Sequence, residues 1–221
     1  MTTAEDFVLV MTDPVTGKHL VGSTVSDAVM GGAFLIDLVE AGRLALDGEG
    51  REARVVAADH AHTGDALLDG AFDRVRQRGR QRPQSIVTRL GRKGRDRTYR
   101  ALASRGAVQP RHEKAFGLFP LTRHDVLDTA RRDDLLTRIR AVLLHDQPAD
   151  AETGPIIGLL SAASLTKAVV DKPDRRRAKA RAKVVSEGDW ASEGVRKAIQ
   201  AAQSAVTAGV VAATVATAGG S

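Results

Sequence analysis

Aromatic side chains are scarce in this sequence. They make up 3% of its 221 residues, whereas hydrophobic residues reach 43%. A core must therefore be assembled mainly from Leu, Val, Ile and Ala. Aliphatic side chains at helical spacing form the apolar stripe by which one helix packs on another. The composition thus favours a mostly α-helical protein, and the length suits a single domain over residues 1–221, with a core at about 4–215.

Hydrophobic periodicity and the positions of glycine predict the individual elements. Apolar residues recur at helical spacing from 26 to 41, and Gly42 is suited to end that helix. Asp47-Gly48 predicts a short β-hairpin over 43–58, and a second short hairpin is expected over 108–121. The remaining predicted helices cover 65–78, 84–93, 95–105, 125–145, 154–170, 175–185 and 190–217. Residues 154–170 are the most apolar and are predicted to form the central helix.

Several classes of catalytic and metal site find no support in the sequence. The chain has no cysteine, which excludes disulfides, thiolate metal sites and cysteine catalysis. It also lacks a P-loop, a dinucleotide-binding fingerprint and a Gly-x-Ser-x-Gly elbow. His60 and His62 lie close together but have no third ligand at metal spacing. We therefore expect a protein that is not an enzyme and that has neither a metal site nor a cofactor.

The apolar segments are too short to span a membrane. Neither 156–170 nor 205–218 reaches the run of about 20 strongly apolar residues that a spanning helix needs. The first twelve residues lack the basic region of a signal peptide. We expect a cytoplasmic protein that, where it meets a membrane, lies peripherally on its cytoplasmic face.

Positive charge is concentrated in one stretch. The formal net charge is +6, yet residues 74–114 contain 14 basic and only two acidic residues. The rest of the chain is therefore net acidic. Such a local excess attracts polyanions, among which a nucleic acid, an anionic lipid surface and an acidic protein are candidates. A solvated helix surface without a ligand is the alternative interpretation.

The basic residues are densest where two predicted helices meet. Arg92 and Arg95 are three apart across Gly94, so both can point to one side of the junction. The second helix would present its free N–H groups and positive dipole end there. Arginine binds phosphate bidentately. We predict a phosphate site formed by Arg92 and Arg95 together with Arg89 and Arg97; a basic patch without a specific ligand remains the alternative.

The second predicted hairpin combines large apolar residues with basic ones. Phe116, Leu118 and Phe119 lie between Lys114 and Arg123 in the sequence. An apolar tip flanked by cations can insert shallowly into an anionic membrane. Alternatively, the rings pack on their own domain or on a partner subunit in a homo-oligomer.

A series of short motifs gives the chain a recognisable order. The motifs are Leu35-Ile36-Asp37-Leu38, Gly42-Arg43-Leu44, Thr63-Gly64-Asp65, Leu67-Leu68-Asp69, Arg92-x-x-Arg95-x-Arg97, Gly106 and Leu118-Phe119. Over roughly residues 4–215 they resemble the Golgi phosphoprotein 3 family, in particular its bacterial relatives. The resemblance implies a mostly helical domain with a buried central helix and a hydrophobic hairpin for membrane contact or oligomerisation. Its eukaryotic members bind phosphatidylinositol 4-phosphate and help retain glycosyltransferases on Golgi membranes.

The resemblance also implies which residues hold the lipid phosphate. In the eukaryotic pocket, a Trp and an Arg from the early helix region join two Arg from the later helix junction. The later pair corresponds to Arg92 and Arg95. An alignment without gaps places the two earlier positions at Gly22 and Gly31.

Two functions of different class fit these features. The first is a peripheral membrane adaptor that binds an anionic phospholipid or phosphoinositide headgroup, with client membrane proteins as further partners. The second is a nucleic-acid-binding module, because residues 84–121 have the helix, helix, hairpin order of a winged helix, with a basic recognition helix at 95–105. A cytosolic scaffold without an anionic ligand is a third possibility.

Overall fold

The computed structural model describes residues 1–48, 50–115, 119–187, 191 and 193–218. Helical residues, short 3-10 turns included, account for 60% of the described residues, which confirms the mostly α-helical prediction. The helices are α1 (Thr3–Val10), α2 (Ser23–Glu40), α3 (Ala66–Phe72), α4 (Pro83–Gly91), α5 (Gly94–Ser104), α6 (Thr129–His145), α7 (Thr153–Ala162), α8 (Arg175–Val185) and α9 (Glu193–Ala218).

Both predicted hairpins are present as antiparallel strand pairs. Strand β1 (Leu44–Asp47) pairs with β2 (Arg54–Ala57), and β3 (Val108–Ala115) pairs with β4 (Phe119–Val126). In the second pair Val108 faces Val126, so the returning strand continues five residues beyond the predicted end at residue 121.

Helix α2 occupies the centre of the fold. It packs on α1, α3, α4, α5, α7 and α9. The helix that the sequence predicted to be central corresponds to α7. It is buried from Thr153 to Leu160, as expected of an interior helix, but it packs beside α2, which has the central position. Helix α7 is also shorter than predicted, because it ends at Ala162 and Ser164 adopts a left-handed conformation (φ 56°). No helix in the described ranges has both the length and the hydropathy to cross a bilayer.

Glycine allows α2 and α4 to cross at very short distance. A Cβ atom added to Gly31 of α2 would lie 1.9 Å from the carbonyl oxygen of Val87 on α4. A Cβ atom added to Gly91 of α4 would likewise lie 1.9 Å from the carbonyl oxygen of Asp27 on α2. Side chains at either glycine would separate the two backbones. The crossing therefore holds the end of α4 against the second turn of α2.

Other element boundaries differ from the predictions for local reasons. Gly42 (φ 70°) follows α2 and Gly106 (φ 71°) follows α5, as their predicted roles in ending helices require. The helix predicted over 65–78 ends at Phe72. The helix predicted from residue 125 begins at Thr129, because Asp125 belongs to β4 and Asp128 caps the helix with its side chain.

Candidate anion-binding site

The junction between α4 and α5 is a tight turn of two residues. Helix α4 ends at Gly91, Lys93 adopts a left-handed conformation (φ 55°), and α5 begins at Gly94. A Cβ atom on Gly94 would lie 2.8 Å from Cβ of Met30, so this turn sits directly on α2. Among the described residues, the N-cap residue Lys93 makes no side-chain capping hydrogen bond to the first turn of α5. The junction thus presents the positive end of a helix dipole, as predicted.

Two cations at this turn extend into solvent. The side chains of Arg92 and Lys93 are exposed and form neither a hydrogen bond nor an ion pair within the part of the chain that the structure describes. Arg95 is less exposed, at 31% of its side chain, and its Nε lies 3.6 Å from Oδ1 of Asp96. The structure therefore leaves the Arg92 guanidinium and the Lys93 ammonium available to an anion, with Arg95 one turn further on.

Arg97 binds the end of α4. Its guanidinium donates to the carbonyl oxygens of Arg92 (2.6 Å) and Leu90 (2.5 Å). It also lies over the Phe34 ring, 5.5 Å from the centroid. These contacts satisfy carbonyl groups that the end of a helix leaves without partners. Arg97, one of the predicted phosphate ligands, therefore holds the shape of the junction through its guanidinium.

Arg89 belongs to a second group of cations beside the turn. Its side chain is half-buried, and its carbonyl oxygen accepts a hydrogen bond from Nη2 of Arg74 (3.5 Å). Burial, followed by the positive charges of Arg74 and Arg100, lowers the pKa of Arg97. This places Arg74, Arg97 and Arg100 close together and extends the positive surface along α5.

A chain of hydrogen bonds lies beneath Arg95. The hydroxyl of Thr12 donates to the Val8 carbonyl (2.6 Å), so its oxygen accepts from the Tyr99 hydroxyl (2.7 Å). The Tyr99 oxygen is then left to accept from Nδ1 of His19 (3.2 Å). This order leaves Nε2 of His19 to accept from the Ser26 hydroxyl (3.3 Å). The hydrogen bonds thus connect α1, α5 and the first turns of α2.

This arrangement keeps two histidines neutral. Burial lowers the pKa of His19 to about 3, and the charges of Arg95 and His124 add to the effect. Burial, then Arg95, also lowers the pKa of His124. The His124 ring stacks on Tyr99 with centroids 3.6 Å apart. At neutral pH, Arg95 is therefore the charged member of this cluster, and the rings of His19 and His124 beside it carry no charge.

Two carboxyl groups lie near the cations. Asp96 follows Arg95 in the first turn of α5, where an acidic residue favours the helix dipole. Burial raises the pKa of Asp27, whereas the charge of Arg95 lowers it. These carboxylates offset part of the positive potential, so the positive charge is least compensated on the Arg92 and Lys93 side of the turn.

The second hairpin is joined to this cluster at its base. The N–H of His124 on β4 donates to the Gly17 carbonyl (3.0 Å), and the same His124 stacks on Tyr99. From His124 to Phe119 the strand extends about 17 Å at the usual rise per residue. Phe116 and Leu118 lie outside the described residues, as does the side chain of Phe119.

Most hairpin cations beside the tip are already paired. Arg111 binds Asp125 through Nε (3.1 Å) and also contacts Glu113. Arg123 lies 3.8 Å from Glu113. Arg111 and Asp125, like Arg123 and Glu113, are diagonal neighbours across the two strands, whereas Arg111 and Glu113 are alternate residues of β3. Sequence reasoning missed the two diagonal pairs because they depend on the register of the strands.

Helix α5, the predicted recognition helix, buries one face and pairs part of its basic residues. Thr98, Tyr99 and Leu102 are buried against the domain. Arg105 is held by Glu5 (3.3 Å) and Asp65 (2.6 Å). Arg97 is also engaged, whereas Arg100 is exposed, so only part of the positive charge predicted for this helix is accessible. The helix, helix, hairpin order predicted from the sequence is present.

The comparisons with known proteins identify the family. Residues 4–202 match the Golgi phosphoprotein 3 (GPP34) family. The chain belongs to this family. No curated protein matches it. Within the described residues no group of three or more His, Asp or Glu side chains could hold a metal ion.

Gly22 and Gly31 are the positions that the alignment with the Golgi phosphoprotein 3 family places at the early part of the headgroup pocket, and the structure gives them very different surroundings. Gly22 precedes α2, is exposed, and has no atom within 4 Å of an added Cβ. Gly31, in contrast, lies in the crossing with α4, where an added Cβ would overlap the Val87 carbonyl. A long side chain therefore fits at position 22 but not at position 31 of this chain.

Proposed function

We propose that this protein is a peripheral membrane adaptor whose α4–α5 junction binds the phosphate of an anionic lipid headgroup. The observation that carries the proposal is the pair of exposed cations, Arg92 and Lys93, that have no partner within the described residues. The uncapped start of α5 and the nearby Arg95 add to the attraction. Eukaryotic members of the family bind phosphatidylinositol 4-phosphate, which supports a lipid phosphate as the ligand.

A membrane surface suits the wider distribution of charge. Each Lys or Arg near an anionic membrane contributes about 1 kcal/mol of attraction. Residues 74–114 carry 14 basic residues against two acidic ones, and several are exposed around the junction. We propose that the Phe116–Phe119 tip contributes the apolar half of the contact, either in lipid or between subunits of a homo-oligomer.

The proposal assigns binding rather than catalysis to the protein. In this role it would act on the cytoplasmic face of a membrane and hold client membrane proteins there. No cofactor is needed for these steps.

Vesicle flotation tests the headgroup site. Replacing Arg92→Ala together with Arg95→Ala should weaken binding to anionic vesicles well over tenfold, because each charge-assisted bond to phosphate contributes roughly 1.5–3 kcal/mol. A matched control replaces Arg175→Ala and Arg176→Ala, two exposed cations on α8 that remove the same charge elsewhere. Neutral vesicles should float neither protein.

Two outcomes would contradict the proposal. The first is equal flotation of the junction variant and the parent. The second is an equal loss in the α8 control, which would assign binding to net charge alone. Adding duplex DNA to the parent distinguishes the alternative function, because a nucleic-acid-binding module would leave the vesicles for the DNA at low salt.

A further inference from the structure

A large open cavity lies away from the junction. Its volume is about 880 Å³, and its walls are formed by the β1–β2 hairpin, the start of α4 and the first half of α9. Pro83 opens α4 at this cavity, whereas Gly91 ends the same helix at the lipid-headgroup site. The two ends are about 12 Å apart along the helix axis, from the rise of an α-helix. The cavity is therefore a separate place on the molecule.

Small side chains on α9 leave this space open. Two adjacent stripes at four-residue spacing line the cavity: Lys197, Ala201 and Ala205, and beside them Arg196, Gln200 and Ser204. Residues four apart lie above one another on a helix face. One stripe is thus mainly apolar and small, and the other supplies hydrogen-bonding groups. Gly48 and Gly50 form part of the facing wall without adding side chains.

Arginines from three different elements line the cavity. They are Arg54 on β2, Arg82 just before α4, and Arg196 on α9. Glu52 is the acidic residue among the described lining side chains, and the Lys197 ammonium is paired with Glu193 (2.9 Å). The described part of the lining thus has an excess of positive charge. The side chain of Arg82 is exposed and has no partner among the described residues.

We propose that this cavity binds a soluble phosphorylated small molecule. Its volume falls within the range of about 300–1,000 Å³ of small-molecule sites. Guanidinium groups match the oxygen geometry of phosphate, and a doubly charged group can engage more than one of them. The apolar stripe of α9 gives the organic part of such a molecule a surface. No aromatic side chain is present among the described lining residues, so a phosphate ester of a sugar or alcohol fits better than a stacked base.

Nuclear magnetic resonance titration with glycerol 3-phosphate tests this assignment. The amide signals of Gly48, Gly50 and Gln84 should shift in a saturable manner, whereas succinate, a dicarboxylate of similar charge, should shift them far less. Replacing Arg82→Ala together with Arg196→Ala should weaken binding at least tenfold. Ser204→Trp should also block it by filling the cavity without changing its charge. The control Arg175→Ala with Arg176→Ala should bind like the parent.

The same titration distinguishes a soluble ligand from a lipid headgroup. Vesicles of phosphatidylglycerol should leave glycerol 3-phosphate bound, because the cavity and the junction lie at opposite ends of α4. Displacement by vesicles would overturn the assignment to a soluble ligand. Absence of saturable shifts, equal binding by the cavity variants, or preference for succinate or an acidic peptide would overturn the phosphate assignment. Flotation of the Arg82 and Arg196 variant reports on the junction separately and should match that of the Arg175 and Arg176 control, which removes the same charge.

Discussion

Replacing Gly31→Ala should destabilise the protein even though alanine is the better helix former. The added Cβ would lie 1.9 Å from the Val87 carbonyl oxygen, whereas ordinary contacts begin near 3.4 Å. One helix must therefore move by about 1.5 Å. Overpacking of this kind costs about 1–3 kcal/mol and sometimes more. Helix propensity returns at most about 1 kcal/mol.

The matched control is the same substitution at Gly70 of α3. That glycine is exposed, and nothing lies within 4 Å of an added Cβ. Gly70→Ala should therefore raise stability by up to about 1 kcal/mol, through helix propensity alone. A net loss of about 2 kcal/mol for Gly31→Ala would lower Tm by roughly 4–8 °C in a domain of this size.

Thermal and urea unfolding followed by circular dichroism at 222 nm measure both variants. A Tm for Gly31→Ala equal to or above that of the parent would refute the close crossing of α2 and α4. Gly91→Ala supplies a second test, because its added Cβ would meet the Asp27 carbonyl at the same distance. Gly22→Trp should be tolerated, since position 22 is open. The expected order of stability among these glycine variants thus follows the room available around each added side chain rather than helix propensity.

Three further predictions concern the core, the buried histidine and the hairpin. Leu159→Asp should abolish soluble expression because it buries an unpaired charge, whereas Leu20→Asp at an exposed site should not; the soluble fraction measures both. Burial lowers the pKa of His19 to about 3 in the folded protein, so the unfolded chain binds more protons below about pH 6.5. The free energy of unfolding should therefore decrease as the pH is lowered from about 6.5 towards 3, by at most about 1.4 kcal/mol per pH unit. Urea unfolding at pH 7 and pH 5 should show a smaller drop for His19→Gln, and an equal drop would contradict the assignment. Replacing Phe116→Ser together with Phe119→Ser should reduce vesicle flotation. If the sedimented mass without lipid is unchanged, the tip inserts in lipid; if that mass is lower, the tip forms a subunit interface. No change in either flotation or sedimented mass would reject both uses.

The sequence predicted a phosphate site at the α4–α5 junction, but it did not resolve the different roles of the arginines there. Arg92 and Arg95 were recognised from their spacing around a glycine, which is a local property. The capping role of Arg97 depends on the carbonyl of Leu90 and on the Phe34 ring, which α2 brings into contact. The cavity beside α9 joins residues more than a hundred positions apart, so no sequence motif announces it.

The sequence by itself determined the helical class, the two hairpins and the region of excess positive charge. These follow from residue spacing and from backbone preferences, as at Gly42 and Gly106, which act over a few residues. Only the tertiary structure decided that α2 is central and that Gly31 is needed for close packing against α4. It also decided which cations remain available, because Arg105 is held by Glu5 and Asp65 from distant elements. Pairing of this kind depends on how the chain packs, and local sequence carries little information about it.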